Sequence, residues 1–248
     1  MKTIDVLFIL SFLAGCHPGS NSDHEAKAKY VPLSLEDSKK LITPTVYYIP
    51  QFDQADSSCG VMLDMKDKSG KVILTVCKDS YDSCVMQGTC LVKKSELKIL
   101  INVGSQVNGE RRFVNITDSA CSFGQGATHD SAKVYKAMCL DPYYSIAADL
   151  DIYKLGAVIY VPSFAGVLLP NGVLHDGYFV VRDSGGSIKG YGRFDFFSGF
   201  DSYKNKSNPF AIHGFADKSF NAPYFVVTGQ KEAETLKARS FPKLSVLK

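Results

Sequence analysis

Short runs of β-branched and aromatic residues recur along the chain, at 45–49 (TVYYI), 71–77 (KVILTVC), 97–104 (LKILINVG), 157–162 (AVIYVP), 177–183 (GYFVVRD) and 224–229 (YFVVTG), divided by Gly, Asp, Asn and Pro. Such side chains suit a pleated, half-buried surface, and the punctuating residues suit turns. Helical patterning is confined to short pieces, residues 35–42 after Ser34 and 231–239 after Gln230. The chain is therefore expected to be mainly β, with loop insertions and short helices. Many short strands leave many edges; closing the sheet into a barrel removes them, although a two-sheet sandwich fits the same pattern.

The first forty residues do not belong to that core. Lys2 precedes an apolar run, residues 6–14, that is too short to span a bilayer, which predicts an export signal over residues 1–15. The run ends in LAGC (13–16), which resembles the lipobox of bacterial lipoproteins. That resemblance implies cleavage before Cys16, a diacylglyceryl group on its thiol, and, with His17 rather than Asp next, an outer-membrane anchor facing the periplasm. Residues 16–40 are expected to be the lipid anchor and a polar tether, because 17–29 hold almost no bulky apolar side chain. Residues 41–248, about 200 in number, are enough for a single well-buried domain with insertions.

Removing the signal takes away one Lys and one Asp, so the formal charge stays at +3, too mild to imply a nucleic-acid partner. Six cysteines follow Cys16: Cys59, Cys77, Cys84, Cys90, Cys121 and Cys139. In an exported chain they predict disulfides stapling the first half, with the pairing left open by the sequence. No CxxC pair occurs and no His neighbours Cys84 or Cys90, so a structural metal is not expected. No cofactor motif is present, and the protein is expected to be a monomer.

The most informative segment is VRDSGGSIKGYGRFDFF, 181–197. Strand alternation in 177–183 puts Tyr178, Val180 and Arg182 on one face and Phe179, Val181 and Asp183 on the other. The glycines at 185, 186, 190 and 192 permit a tight turn or the close approach of a ligand. In RFDFF, Phe194 and Phe196 share a face and Asp195 takes the opposite one, so two acids return toward each other at a strand end. Either acid alone could be a turn cap or the partner of Arg193 or Lys189. Three adjacent pairs, His175–Asp176, His129–Asp130 and His213–Gly214, lack a nucleophile motif, and neighbours on a strand point apart.

Taken together, DSGGSIKG (183–190) and RFDFFSG (193–199) resemble the signature of the 3D domain, named for three aspartates and shared by the MltA-type lytic transglycosylases. AADLDIYKLGAVIYVP (147–162) is similar to the segment that holds the first aspartate, here Asp149. MQGT (86–89) is similar to the family's Gln-Gly-Ser-Gly turn, with Cys90 in place of the second glycine, and TVYYIP (45–50) to its Tyr-Tyr-x-Pro strand. Ser184 and one extra residue between Gly190 and Asp195 are further departures.

The resemblance implies a six-stranded double-psi β-barrel. It also implies cleavage of the β-1,4 bond between N-acetylmuramic acid and N-acetylglucosamine in peptidoglycan glycan strands, with closure of a 1,6-anhydro ring. Asp195 would be the single catalytic acid and base, with Asp183 and Asp149 supporting it, Phe194 and Phe196 as apolar flanks, and no cofactor. Gln87, Gly88, Tyr47, Tyr48, Gly185, Gly186 and Lys189 would bind the saccharide. A non-catalytic, expansin-like wall-binding module and a hydrolase with two acting carboxylates remain as alternatives.

Overall fold

The computed structural model describes residues 41–54, 59–126, 138–217 and 219–239. The signal, Cys16, the tether, residues 35–40 of the first helical piece and the His129–Asp130 pair lie outside them, while Leu41 and Ile42, the end of that piece, are not helical. Among the described residues are twelve strands: β1 Thr43–Tyr47, β2 Gln51–Asp53, β3 Met62–Lys66, β4 Val72–Cys77, β5 Thr89–Lys94, β6 Leu97–Val107, β7 Glu110–Asn115, β8 Ser145–Ala147, β9 Val158–Tyr160, β10 Tyr178–Asp183, β11 Arg193–Phe197 and β12 Phe225–Val227. Three short α-helices accompany them, α1 Lys78–Gln87, α2 Pro209–Ile212 and α3 Gln230–Ala238. The mainly β expectation holds, each apolar run quoted above supplies a strand, and α3 forms over the helical pattern after Gln230.

One sheet has six strands in the order β1-β11-β8-β10-β9-β12. Its inner strand β10 is buried at every residue, which is why it reads as a nearly unbroken apolar run. Beneath one face lies an aromatic core that includes Phe164, Phe179, Phe194, Phe196, Phe210 and Phe215. The strand ladder does not close: β1 and β12 are its two edges, and an isolated antiparallel bridge, Leu41 to Pro223, joins the residues just before them. The closed barrel expected from the resemblance is therefore not found among the described residues, because the two edge strands are not hydrogen-bonded to each other and meet only through that isolated bridge before them.

A second, four-stranded sheet, β2-β5-β6-β7, stands beside the β3–β4 hairpin and has its own core of Met65, Leu74, Val76, Val92, Ile101 and Phe113. A third cluster joins the sheets: Tyr47, Ala147 and Phe197 from the first meet Leu91 and Leu100 from the second and Ile116 just after β7. The cysteines pair as Cys59–Cys77, Cys84–Cys90 and Cys121–Cys139, the last closing the excursion between β7 and β8.

Helix α1 was not expected. Cys84 is its only buried residue, so it shows no amphipathic stripe. It is fixed instead by covalent bonds, at Cys77 just before it and at Cys84 within it. It stops at Gly88, whose φ of 81° is a left-handed cap that any other residue would strain. Cys90, the departure from the family turn, is thus one end of a staple around Gln87 and Gly88. Replacing Cys84 and Cys90 together by Ser is expected to lower the unfolding free energy by about 2 kcal/mol, the loop-closure value for so short a ring. Urea denaturation of the unreduced protein checks this, with wild-type protein as reference.

Candidate active site

The site is built by strand register. On β8, Ala147 pairs with Asp183 of β10 on one side and with Asp195 of β11 on the other; Asp195 in turn pairs with Thr45 of β1. Four adjacent strands thus place Thr45, Asp195, Ala147 and Asp183 in one row. The acids sit two strands apart, about 10 Å between backbones at ordinary sheet spacing. Only a methyl group stands between them, and the space it leaves opens into a cavity of about 250 Å³.

The row one residue back faces the other way. Ile146 pairs with Val181 and Phe196, and all three belong to the aromatic core. Simple alternation would have put Asp183 there too, on the face of Phe179 and Val181. The register shifts between Val181 and Asp183, so Arg182 is an extra residue in the strand and Asp183 turns to the cavity instead. At this bulge the Arg182 carbonyl comes so near Gly126 that a Cβ there would lie 1.8 Å from it, which requires glycine. The Arg182 guanidinium donates to the carbonyls of Cys139 and Arg239, holding the bulge between a disulfide and the end of α3.

Thr45 and Tyr47 project from one face of β1 and each serves one acid. The Thr45 hydroxyl donates to Asp195 Oδ1 at 2.6 Å and accepts from Arg193 Nη1 at 2.8 Å. The Tyr47 hydroxyl donates to Asp183 Oδ2 at 2.9 Å, and Asp183 Oδ1 also accepts the Ser184 N–H at 2.8 Å. Desolvation pushes the Asp195 carboxyl up to about 6, against the pull of Thr45 and Arg193, and the Asp183 charge adds to the rise. Burial, followed by the charges of Asp183 and Asp195, raises the Tyr47 phenol well above its ordinary value, so it stays a donor. Phe194 and Phe196 do not flank the carboxylate; they lie on the core face of β11, and the crowding comes from the row across the sheet.

The remaining expected residues divide. Gln87, Gly88, Gly185 and Gly186 line the cavity with Tyr47 and the two acids. Gln87 also accepts the Tyr48 N–H at 3.0 Å, which ties the α1 turn to β1, whereas the Tyr48 ring packs edge-on against Tyr203. Asp149 and Lys189 are placed together but off the cavity wall: Lys189 Nζ reaches Asp149 at 3.1 Å and Asp151 at 3.4 Å, and the Gly190 N–H donates to Asp149 at 2.9 Å. Burial would raise Asp149, but these donors outweigh it and hold the carboxyl below its ordinary value. It fastens the glycine loop that connects β10 to β11. Of the rejected histidines, His175 is buried between Tyr144, Phe164 and Phe179, and desolvation lowers it to about 4.

Sequence reasoning missed the far wall. Thr89, Asn102 and Gln125 reach the cavity from the second sheet and its following loop. The Thr89 hydroxyl donates to Asn102 Oδ1 at 2.8 Å, and Asn102 Nδ2 to the Gln125 carbonyl at 3.0 Å. Thr45, though inside a quoted strand, was not singled out, since nothing in a lone sequence shows that it meets a residue 150 positions away.

Residues 144–207, from β8 to the loop beyond β11, match the model of the 3D domain. This part of the chain is similar to the 3D domain. No curated protein matches the chain at a significant level. Among solved structures it is similar to E. coli MltA with bound chitohexaose, at 13% identity over 76% of this chain and 71% of that one, with a TM-score of 0.49. It is also similar to a membrane-bound lytic murein transglycosylase from Agrobacterium tumefaciens, at 12% identity over 77% and 75% with a TM-score of 0.47. A third is the lytic transglycosylase LtgG of Burkholderia pseudomallei, at 15% identity over 77% and 72% with a TM-score of 0.37.

The raised Asp195 value has a cost. A carboxyl whose folded pKa lies above that of the unfolded chain favours folding below about pH 4, and this contribution is lost as the pH rises through about 6. At neutral pH the ionised group is therefore destabilising. Asp195→Asn is expected to raise the unfolding free energy at pH 7 by about 3 kcal/mol, with the gain vanishing near pH 4. Denaturant titrations of both proteins across that range check it; a pH-independent difference would contradict the assignment.

Proposed function

We propose that this protein is a lytic transglycosylase of peptidoglycan, with Asp195 as its single acid and base. One observation carries this: a desolvated carboxyl with a pKa of about 6 faces a polar cavity, across one alanine from a second carboxylate. A general acid works best when its pKa is near the working pH, and an ordinary aspartate at neutral pH has given its proton away.

In the proposed step Asp195 donates its proton to the glycosidic oxygen as the bond from the muramyl C1 to that oxygen breaks. The C6 hydroxyl of the same muramyl residue attacks C1, and its proton passes to the Asp195 carboxylate. The products are a 1,6-anhydromuramyl end and a free 4-hydroxyl, with no water consumed and the acid restored. Asp183, held by Tyr47 and the Ser184 N–H, is placed to stabilise positive charge developing at C1. Thr89, Asn102, Gln87 and Gln125 present the amides and hydroxyl that sugar recognition needs. The six-stranded sheet is read as an opened double-psi barrel whose seam is the Leu41–Pro223 bridge, and a lipid on Cys16 would hold the cavity near the wall from the outer membrane.

Digestion of purified peptidoglycan, with released muropeptides identified by mass, tests the proposal. Anhydromuropeptides are expected from the wild type and none from Asp195→Asn; reducing ends would indicate a hydrolase, and no release a binding module. The pH profile should move in opposite directions for two neighbours. Asp183→Asn removes a repulsion that keeps Asp195 protonated, so the alkaline limb should shift down. Thr45→Val removes a hydrogen bond that favours the charged form, so it should shift up.

A further inference from the structure

Behind the ridge formed by Val85 of α1 and Arg111 of β7 lies a second cavity of about 560 Å³, and both residues also line the first. Its wall carries three cations, Lys66, Arg111 and Arg112, against two carboxylates, Asp64 and Glu110. The pairing within it is uneven. Glu110 is shared by Arg112 Nη1 at 2.8 Å and Lys66 Nζ at 3.6 Å, and Asp64 accepts the Thr75 hydroxyl at 2.7 Å. Arg112 Nε is buried without a hydrogen-bond partner among the described residues. Arg111 makes no ion pair among them; its Nη1 donates to the Gly104 carbonyl at a long 3.4 Å. A guanidinium whose planar fork matches a carboxylate thus stands between the two cavities with no carboxylate on it.

We propose that Arg111 receives a carboxylate carried on the O3 substituent of the muramyl residue, and that the second cavity houses the rest of that substituent. The inference rests on the glycan reading of the first cavity and adds what distinguishes peptidoglycan from an uncharged chitin chain. A plain N-acetylglucosamine polymer has nothing ionised to offer. A muramyl residue always has: the lactyl carboxylate when stripped, or the carboxylates of the stem peptide when substituted. The excess positive charge and the size of the second cavity suit the latter.

Binding to the Asp195→Asn protein, with intact Arg111 and with Arg111→Gln, tests this by titration with chitohexaose, amidase-stripped murein strands and peptide-bearing strands. The protein with intact Arg111 should prefer carboxylate-bearing strands to chitohexaose, and Arg111→Gln should reduce that preference about ten-fold, the effect of one charge-assisted hydrogen bond. A reduction confined to peptide-bearing strands identifies the stem peptide as the source, one confined to stripped strands identifies the lactyl carboxylate, which the peptide bond consumes in the others, and one in both shows that Arg111 takes whichever carboxylate the substituent carries. Binding of chitohexaose with no preference in the protein with intact Arg111, or a preference unchanged by Arg111→Gln, overturns the inference while leaving the glycan site standing. Failure to bind any of the three overturns both. The chitohexaose arm also reports whether the Arg111→Gln protein is folded.

Discussion

The site depends on the pairing of one small residue with two acids. Ala147 occupies the central strand of the row, and hydrogen bonding fixes Asp183 on one side of it and Asp195 on the other. The separation of the carboxylates is therefore a property of the sheet rather than of flexible side chains, and positions set by strands are held more tightly than positions on loops. The alanine leaves the room. A larger side chain would fill the space between the acids while leaving the register unchanged.

Around this row the molecule spends structure on keeping Asp195 poorly solvated yet reachable. The aromatic core anchors the opposite face of β11 through Phe194 and Phe196, so the strand cannot rotate to expose its acid. The second sheet, stapled by its disulfides and joined through the cluster of Tyr47, Leu91, Leu100 and Phe197, supplies the far side of the cavity. Thr45 and Arg193 pull the pKa of Asp195 down and burial pushes it up, with burial the largest cause. The value near 6 is a balance of these opposing contributions, and so is open to change from either side.

Much of this was legible in the sequence, for identifiable reasons. The long strands announce themselves because both faces of β10 are buried, and the two acids stand out because glycines surround them. What escaped is what lone-sequence patterns do not encode. Strand β8, three residues long, is too short to show a period, yet it sets the geometry. The bulge at Arg182 reverses the face that alternation assigns to Asp183, and it depends on Gly126 approaching from 56 positions away. Asp149 carries the motif's first aspartate, but its oxygens are taken up by Lys189 and Gly190, outside the wall of the cavity. Asn102 lies in a run that reads as ordinary sheet, Arg111 lies on a strand that the sequence reading did not pick out, and only tertiary packing brings them to the site.

The central claim is that one carboxyl at the floor of the cavity keeps its proton into the range where an ordinary aspartate has lost it. Carbon-13 titration of aspartate-labelled protein, compared with Asp195→Asn to assign the signal, measures this directly. The account predicts one carboxyl resonance that titrates near pH 6 and is missing from the variant. An Asp195 resonance titrating in the ordinary aspartate range, near pH 4, would contradict it.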